Sequence, residues 1–167
     1  GFLASLGGRP TTARVVILAT GVNDDPPAIP GLADHWGRGV FTCPFCDGWE
    51  HQDLHLAVVG EPAFGPHVAQ LLRSGWTDQV SLFVGPLPPD VADPLRTRGV
   101  EVDDRTVTRV VGDGEQVTAL ELDDGTTTEV GAVFVARLPV PNAGLATAVG
   151  AAVDEFGFLV TDEQRTT

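Results

Sequence analysis

Residues 55–65 read HLAVVGEPAFG, an apolar run followed by a turn with a glycine at each end. The run His55–Val59 is typical of a strand buried on both faces. Beyond the turn, apolar residues recur near helical spacing from about Ala63 to Ser74, and a second apolar run covers Gln79–Val84. A strand, a crossover helix and another strand make a βαβ unit, which implies a parallel sheet. The stretch therefore predicts an α/β fold.

The turn of this unit is the place where a Rossmann-like domain holds the pyrophosphate of a dinucleotide. Gly60 and Gly65 match the first and last glycines of the pattern G-x-G-x-x-G, and we predict them as cofactor-binding residues. Pro62 replaces the middle glycine and has no N–H to donate, while Glu61 adds a negative charge. Gly85-Pro86, after the second strand, offers neither an arginine nor an acid for the ribose. The turn leaves nucleotide use open.

Downstream of this unit, alternating apolar and polar residues predict a small antiparallel meander. A helix over Pro89–Arg98 and a strand over Val100–Val102 come first. The strands of the meander are Thr106–Val111, Val117–Leu122 and Thr127–Val130, and the next parallel strand is Ala132–Ala136. The sequence Gly-Asp-Gly at 112–114 is a hairpin signal. The predicted fold is a Rossmann-like βαβ domain with a parallel sheet and an inserted antiparallel β-meander.

Upstream, Arg14–Ala19 is a continuous apolar and β-branched run that predicts another strand buried on both faces. It ends at Thr20-Gly21, where glycine allows the backbone to turn. Residues 22–39 are rich in proline and glycine, which favours a linker and a domain boundary.

Both cysteines of the chain lie in TCPFCDGWE, residues 42–50. Cys43 and Cys46 are separated by two residues, so a turn at the start of a helix would bring the sulfurs within reach of one another. A thiol near a helix N-terminus or a second cysteine can cycle between dithiol and disulfide. Asp47 follows directly and can pass the proton that exchange requires. The motif favours redox chemistry.

Three other interpretations of the two cysteines stay open. They can be buried structural residues, or they can form a static disulfide. They can also join His51 and His55 in a zinc site, since the four residues have ligand-like spacing. Against zinc, His55 opens an apolar run that resembles a buried strand rather than a ligand loop.

The charge of the chain limits its partners. Ten arginines, no lysine and 23 acids give a net charge of −13, which argues against nucleic acid and anionic membranes. Two cysteines are too few for a disulfide scaffold, and they favour a reducing cytoplasm. No apolar run approaches the roughly 18 residues that span a bilayer. These features predict a cytoplasmic protein with no membrane partner.

The order of these parts resembles the low-molecular-weight thioredoxin reductase family of flavoproteins. The cysteine motif with its Asp-Gly tail is the most specific match. The other matching parts, in chain order, are Ala19-Thr20-Gly21, Pro30-Gly31, Gly37–Val40, the βαβ unit, the meander, Val133–Val135, Pro141-Asn142 and Phe156–Asp162.

The resemblance implies a flavoenzyme in which a smaller domain interrupts an FAD-binding domain. Residues 1–24 and 137–167 then correspond to fragments of the FAD-binding domain. Residues 25–136 correspond to the NAD(P)-binding-like domain that carries the redox disulfide. Binding of FAD would need sequence outside this chain, as would the homodimer that is usual in the family.

The resemblance also implies roles for individual residues. Cys46 would face the flavin, Cys43 would exchange with a thioredoxin-like protein or a small dithiol, and Asp47 would be the acid–base residue. Ala19, Thr20 and Gly21 lie where the family chain passes the flavin.

The redox partner of the flavin stays open at this point. Some relatives with the cysteine motif oxidise dithiols of small natural products with oxygen, and others take electrons from ferredoxin instead of NADPH. We therefore expect a thiol-disulfide oxidoreductase of thioredoxin reductase type, with a dithiol oxidase or a non-catalytic domain as alternatives.

Overall fold

The structure, a computed structural model, describes residues 1–163. In chain order the strands are β1 Phe2–Leu6, β2 Arg9–Ala13, β3 Val22–Asn23, β4 Val40–Phe41, β5 Leu56–Gly60, β6 Val80–Phe83, β7 Val100–Asp103, β8 Val107–Gly112, β9 Val117–Leu122, β10 Thr127–Glu129, β11 Ala132–Ala136 and β12 Val140–Pro141. The α-helices are α1 Pro44–Asp47, α2 Gly65–Gly75, α3 Pro89–Thr97 and α4 Gly144–Thr147.

The chain forms two compact units. One consists of Gly1–Asp24 together with Pro139–Thr167, and the other is Asp25–Leu138.

The larger unit is built on a parallel sheet with the strand order β4-β11-β5-β6-β7. Strands β8, β9 and β10 form a separate antiparallel meander. The predicted α/β fold, with its βαβ unit over β5, α2 and β6 and its inserted meander, is confirmed. Helix α2 begins two residues later than predicted, because Gly65 and Pro66 stand at its start.

The central strands β5, β6 and β11 are buried because both faces of the parallel sheet are covered. On one face, side chains that include Leu56, Val58 and Phe134 pack with Leu72 of α2 and Leu95 of α3. On the other face, Ala57, Val59, Val133 and Val135 pack with Leu120 and Leu122 of the meander. This two-sided burial explains the continuous apolar runs from which the strands were predicted.

The predicted strand Arg14–Ala19 is wrong. The structure gives these residues no regular secondary structure, and Val15 and Ile17 are 75% and 88% exposed. A strand exists only where a neighbour takes its N–H and C=O groups, and within residues 1–163 no strand pairs with this segment. An apolar run favours burial of its side chains, but it does not by itself supply a neighbouring strand for its backbone.

The smaller unit contains a hairpin that was not predicted from the sequence. Strands β1 and β2 pair with Leu6 opposite Arg9, so that Gly7 and Gly8 form a two-residue loop with φ values of 56° and 80°. Glycine adopts this left-handed backbone without steric cost. Strands β3 and β12 form a second antiparallel pair in this unit. Among residues 1–163 no helix has both the length and the apolar character needed to cross a membrane.

An arginine joins the end of β7 to the turn that follows β9. The Arg105 guanidinium hydrogen-bonds the carboxylates of Asp103 and Asp124 and the hydroxyl of Thr126. The Thr126 hydroxyl and N–H, together with Arg105, lower the pKa of Asp124 from 3.8 to about 2. The ionised carboxylate of Asp124 therefore stabilises the folded state.

We expect Asp124→Asn to lower the thermal unfolding midpoint of the complete protein by about 1–2 °C at pH 7. The folded pKa lies below the unfolded one, so this contribution is complete above about pH 4 and disappears as the pH falls towards 2. Circular dichroism melts across this range should show the wild type and the variant converging in acid. A difference that is independent of pH would contradict the role of the charge.

Candidate active site

The two cysteines form a disulfide at the beginning of α1. Cys43 is the N-cap residue, Pro44 is the first helical residue, and the Cys43 and Cys46 Cα atoms are 5.3 Å apart. The N–H groups of Cys46 and Asp47 both donate to the Cys43 carbonyl, at 3.1 and 3.2 Å. Proline suits this first position because its φ is helical and a free N–H is not needed there. One helical turn therefore brings the sulfurs together, as the spacing predicts.

Access to the two sulfur-bearing residues differs. Cys46 is exposed, while Cys43 is half-buried, and Phe45 between them is 73% exposed. The Phe45 ring meets the Trp76 ring edge-on, with 5.6 Å between the ring centroids. Aromatic pairs prefer this arrangement. The disulfide thus lies at the surface of the larger unit beside an aromatic side chain that Trp76 holds in place.

Trp76 also explains the glycine of the Asp-Gly tail. A Cβ at Gly48 would lie 2.9 Å from the Trp76 indole and would collide with the Pro44 carbonyl oxygen. Glycine therefore allows the indole, which follows α2, to lie directly against α1. The Trp49 side chain, in contrast, is 68% exposed.

Asp47, the predicted acid–base residue, is the last residue of α1 and is half-buried. Its backbone carbonyl accepts a hydrogen bond of 2.8 Å from Nδ1 of His51. The His51 ring in turn lies 4.7 Å from the Phe41 ring, and Phe41 packs on the buried Phe134. The helix end that carries Asp47 is therefore connected to the core of the sheet through His51 and Phe41.

The four residues of the zinc interpretation have other partners. His55 Nε2 lies 2.8 Å from the Ser81 hydroxyl, which donates to the Glu101 carboxylate. Since Ser81 has one proton and gives it to Glu101, His55 is the donor in its own bond. Across residues 1–163 no group of three histidine, cysteine, aspartate or glutamate side chains is arranged to hold a metal ion.

The predicted nucleotide glycines lie at the two ends of the turn between β5 and α2. Gly60 has a φ of 150°, and a Cβ there would collide with the Ala136 backbone. Gly65 opens α2, and a Cβ there would overlap Val84 and lie 3.0 Å from Leu82. These contacts correspond to the tight-turn and helix-packing roles of the outer glycines in a dinucleotide-binding turn.

The predicted flavin-side residues lie in the smaller unit. The Thr20 hydroxyl donates to the Asn142 carbonyl at 2.8 Å, and the Asn142 amide donates back to the Thr20 carbonyl at 3.0 Å. The Asn142 N–H donates to Gly21, whose φ is 64° and whose missing side chain faces open space. Ala19 precedes them and is exposed. Asn142 thus holds the exposed backbone at Thr20 and Gly21.

Comparison with known families agrees with this geometry. The model of the pyridine nucleotide-disulphide oxidoreductase family matches residues 4–167. The chain belongs to this family. The resemblance to thioredoxin reductases is confirmed by similarity to the thioredoxin reductase of Treponema pallidum, with 31% identity over 99% of this chain and 56% of that protein.

Two solved structures extend the family comparison to the fold. The crystal structure of HlmI is 36% identical, with a TM-score of 0.84 over 94% of this chain and 50% of that one. The atypical thioredoxin reductase TRi of Desulfovibrio vulgaris Hildenborough is 30% identical, with a TM-score of 0.62 over 100% of this chain and 57% of that one. This chain spans about half the length of these relatives, and its family implies the use of a flavin and a pyridine nucleotide.

Several contacts of the site were not predicted from the sequence. Trp76 meets Phe45, which lies between the two cysteines, His51 donates to the Asp47 carbonyl, and Asn142 exchanges hydrogen bonds with Thr20. Arg137 follows β11, just as Gly60 ends β5, and the two strands are neighbours in the sheet. Because carboxyl ends of parallel strands meet at one edge, the position of Arg137 beside the Gly60 turn was available from the strand prediction.

Proposed function

We propose that the complete protein is a flavin-dependent thiol-disulfide oxidoreductase of thioredoxin reductase type, which passes electrons between FAD and a substrate disulfide through Cys43 and Cys46. The observation that carries the proposal is the disulfide itself, formed within one helical turn at the surface of the larger unit. A structural bridge would gain little from a position that closes so small a loop. The exposure of Cys46 and the partial exposure of Cys43 instead suit exchange with a second molecule.

Exchange at this pair is a two-electron reaction. In the reducing direction, the Cys43 thiolate attacks one sulfur of the substrate disulfide, that bond breaks, and a mixed disulfide forms. The Cys46 thiolate then attacks the Cys43 sulfur, which releases the substrate as a dithiol and restores the Cys43–Cys46 bond. Two electrons and two protons reach the substrate. A bound flavin supplies or accepts the two electrons when the pair is reduced or oxidised.

Asp47 supplies the proton transfer in this proposal. A thiolate leaves a disulfide more easily when a nearby acid protonates it, and a thiol attacks more easily when a base removes its proton. Asp47 is one residue from Cys46 and is fixed at the end of α1 by the His51 contact to its backbone. The assignment of Cys43 to the substrate and Cys46 to the flavin follows the family pattern.

Ala19, Thr20 and Gly21 would contribute to the flavin site. All three residues are exposed, Asn142 holds the backbone of Thr20 and Gly21, and Gly21 leaves room for a ligand to approach. We assign residues 1–24 and 137–167 to the FAD-binding domain and residues 25–136 to the domain that carries the disulfide. The exposed apolar side chains of the smaller unit, such as Val15, Ile17 and Leu145, support its being part of a larger domain.

The proposed substrate is a thioredoxin-like protein or a small dithiol in the cytoplasm, and the proposed assembly of the complete protein is a homodimer. The net charge of −13 favours a substrate surface that is neutral or basic.

The experiment that tests the function is an anaerobic titration of the complete protein with dithiothreitol. We expect one flavin per chain in the purified protein, bleaching of the flavin absorbance, and two new thiols per chain that react with a thiol reagent after denaturation. A colourless protein, or one whose thiol count does not change on reduction, would contradict the proposal. Dithionite, which reduces flavin directly, is the control that shows that the bound flavin can be reduced.

A further inference from the structure

The family implies a pyridine nucleotide, and the turn between β5 and α2 is where its pyrophosphate would lie. Two features of this turn fit that role, since Gly60 passes close to Ala136 and Gly65 allows α2 to pack on β6. A phosphate, however, is held by free backbone N–H groups and by positive charge. The residues between the two glycines determine whether either is present.

The backbone donors of the turn are almost all used or missing. The Glu61 N–H donates to the Ala136 carbonyl at 2.8 Å. The N–H groups of Phe64 and Gly65 both donate to the Glu61 carbonyl, at 3.1 and 2.9 Å. Pro62 and Pro66 have no N–H. Among residues 61–66 of the described chain, only the N–H of Ala63 has no backbone acceptor, so the turn cannot surround a pyrophosphate with donors.

The charges at the turn are also unfavourable to an anion. The Glu61 carboxylate lies 3.8 Å from Nε of Arg137. The same guanidinium donates to the backbone carbonyl of Asp25 and lies 3.7 Å from the Asp25 carboxylate. The cation beside the turn is therefore shared between two carboxylates. A pyrophosphate would add two more negative charges to a group that already carries a net charge of −1.

The end of β6 offers no compensation. Residues 85–89, which are the loop after β6 and the first residue of α3, are glycine, leucine and three prolines, with no charged side chain for a ribose diol or a 2′-phosphate. Leu87 of this loop is partly buried against the core on the α2 side of the sheet. Residues 85–89 are thus apolar where the nucleotide ribose would lie, and Leu87 is the one of them that packs against this core.

We propose that this turn excludes the pyrophosphate of NADPH and NADH, through Pro62 and the ion pairs of Glu61, Arg137 and Asp25. The larger unit keeps the dinucleotide-binding fold for its packing and as the carrier of the disulfide. The inference rests on the proposed function, because it concerns which molecule exchanges electrons with the flavin that serves Cys43 and Cys46.

The test is direct binding of NADPH and of NADH to the complete oxidised protein, measured by isothermal titration calorimetry up to 1 mM nucleotide. We expect no saturable heat, and no flavin bleaching when NADPH is added anaerobically. Saturable binding or bleaching would overturn the proposal. The dithiothreitol titration on the same preparation distinguishes the two conclusions, because it reports the disulfide chemistry whether or not nucleotide binds.

A double variant, Glu61→Gly with Pro62→Gly, removes the carboxylate and restores an N–H. We expect its affinity for NADPH to rise at least tenfold, into the measurable range below 1 mM. Glu115→Gln, which removes one charge at the distant hairpin tip, is the matched control and should not bind. A folded double variant that still binds no nucleotide would overturn the assignment of the exclusion to these residues. Unchanged circular dichroism and flavin content establish folding.

Discussion

Replacing either cysteine by serine in the complete protein is expected to lower turnover of any thiol or disulfide substrate by about a thousandfold or more. Serine keeps the size of the side chain but cannot form a disulfide, so the two-electron carrier is lost. The structure predicts little effect on folding, since Cys46 is exposed and α1 is held by its own backbone bonds and by Trp76. The measurement is steady-state turnover with flavin content as the check on folding.

The two serine variants also separate the roles of the sulfurs. With Cys46→Ser, a substrate disulfide attacked by Cys43 cannot be released by the second thiol, so a mixed disulfide should accumulate. With Cys43→Ser, we expect no such adduct on Cys46. Mass spectrometry of the intact protein distinguishes these outcomes, and Glu50→Gln serves as a nearby control with full activity. An adduct on Cys46 in place of Cys43 would reverse the assigned roles.

The second large effect concerns the proton. We expect Asp47→Asn to reduce turnover by about 10²–10⁴-fold, the usual contribution of a positioned acid–base group. The amide keeps the shape of the side chain at the end of α1, and the His51 hydrogen bond is unaffected because it goes to the backbone carbonyl. A loss caused by proton transfer should change the pH profile of turnover, whereas a structural effect would lower turnover equally at every pH.

Asp53→Asn is the matched control for this substitution. Asp53 is exposed, lies six residues further along the chain, and has a φ of 65°, which asparagine tolerates well. We expect its turnover and pH profile to equal those of the wild type. Equal losses in the two variants would show that removal of negative charge, and not the position of Asp47, is responsible.

Elements that depend on local sequence patterns were predictable, and strand pairing was not. Strands β5, β6 and β11 were predicted within one or two residues because two-sided burial imposes an uninterrupted apolar run. The disulfide was predictable because one helical turn fixes the distance between Cys43 and Cys46. Pairing is different, since Arg14–Ala19 contains an apolar run as continuous as that of β5 and yet forms no strand.

Contacts between distant segments account for most of what the sequence left out. Trp76 reaches α1 from beyond the end of α2, and Asn142 reaches Thr20 across 122 residues. Neither contact has a periodic or local signature. The Gly7-Gly8 loop is an exception, because two glycines between short runs are a recognised hairpin signal.

The bond from Arg137 to the backbone of Asp25 has a consequence for how this architecture can be rearranged. It joins the first residue of the larger unit to a position one residue before its last. Because the two ends of the segment lie close together, the segment can be deleted or exchanged for another domain. A short linker is then enough to join the flanking residues. Residues 25–138 are therefore arranged as an insert that can be exchanged as one piece.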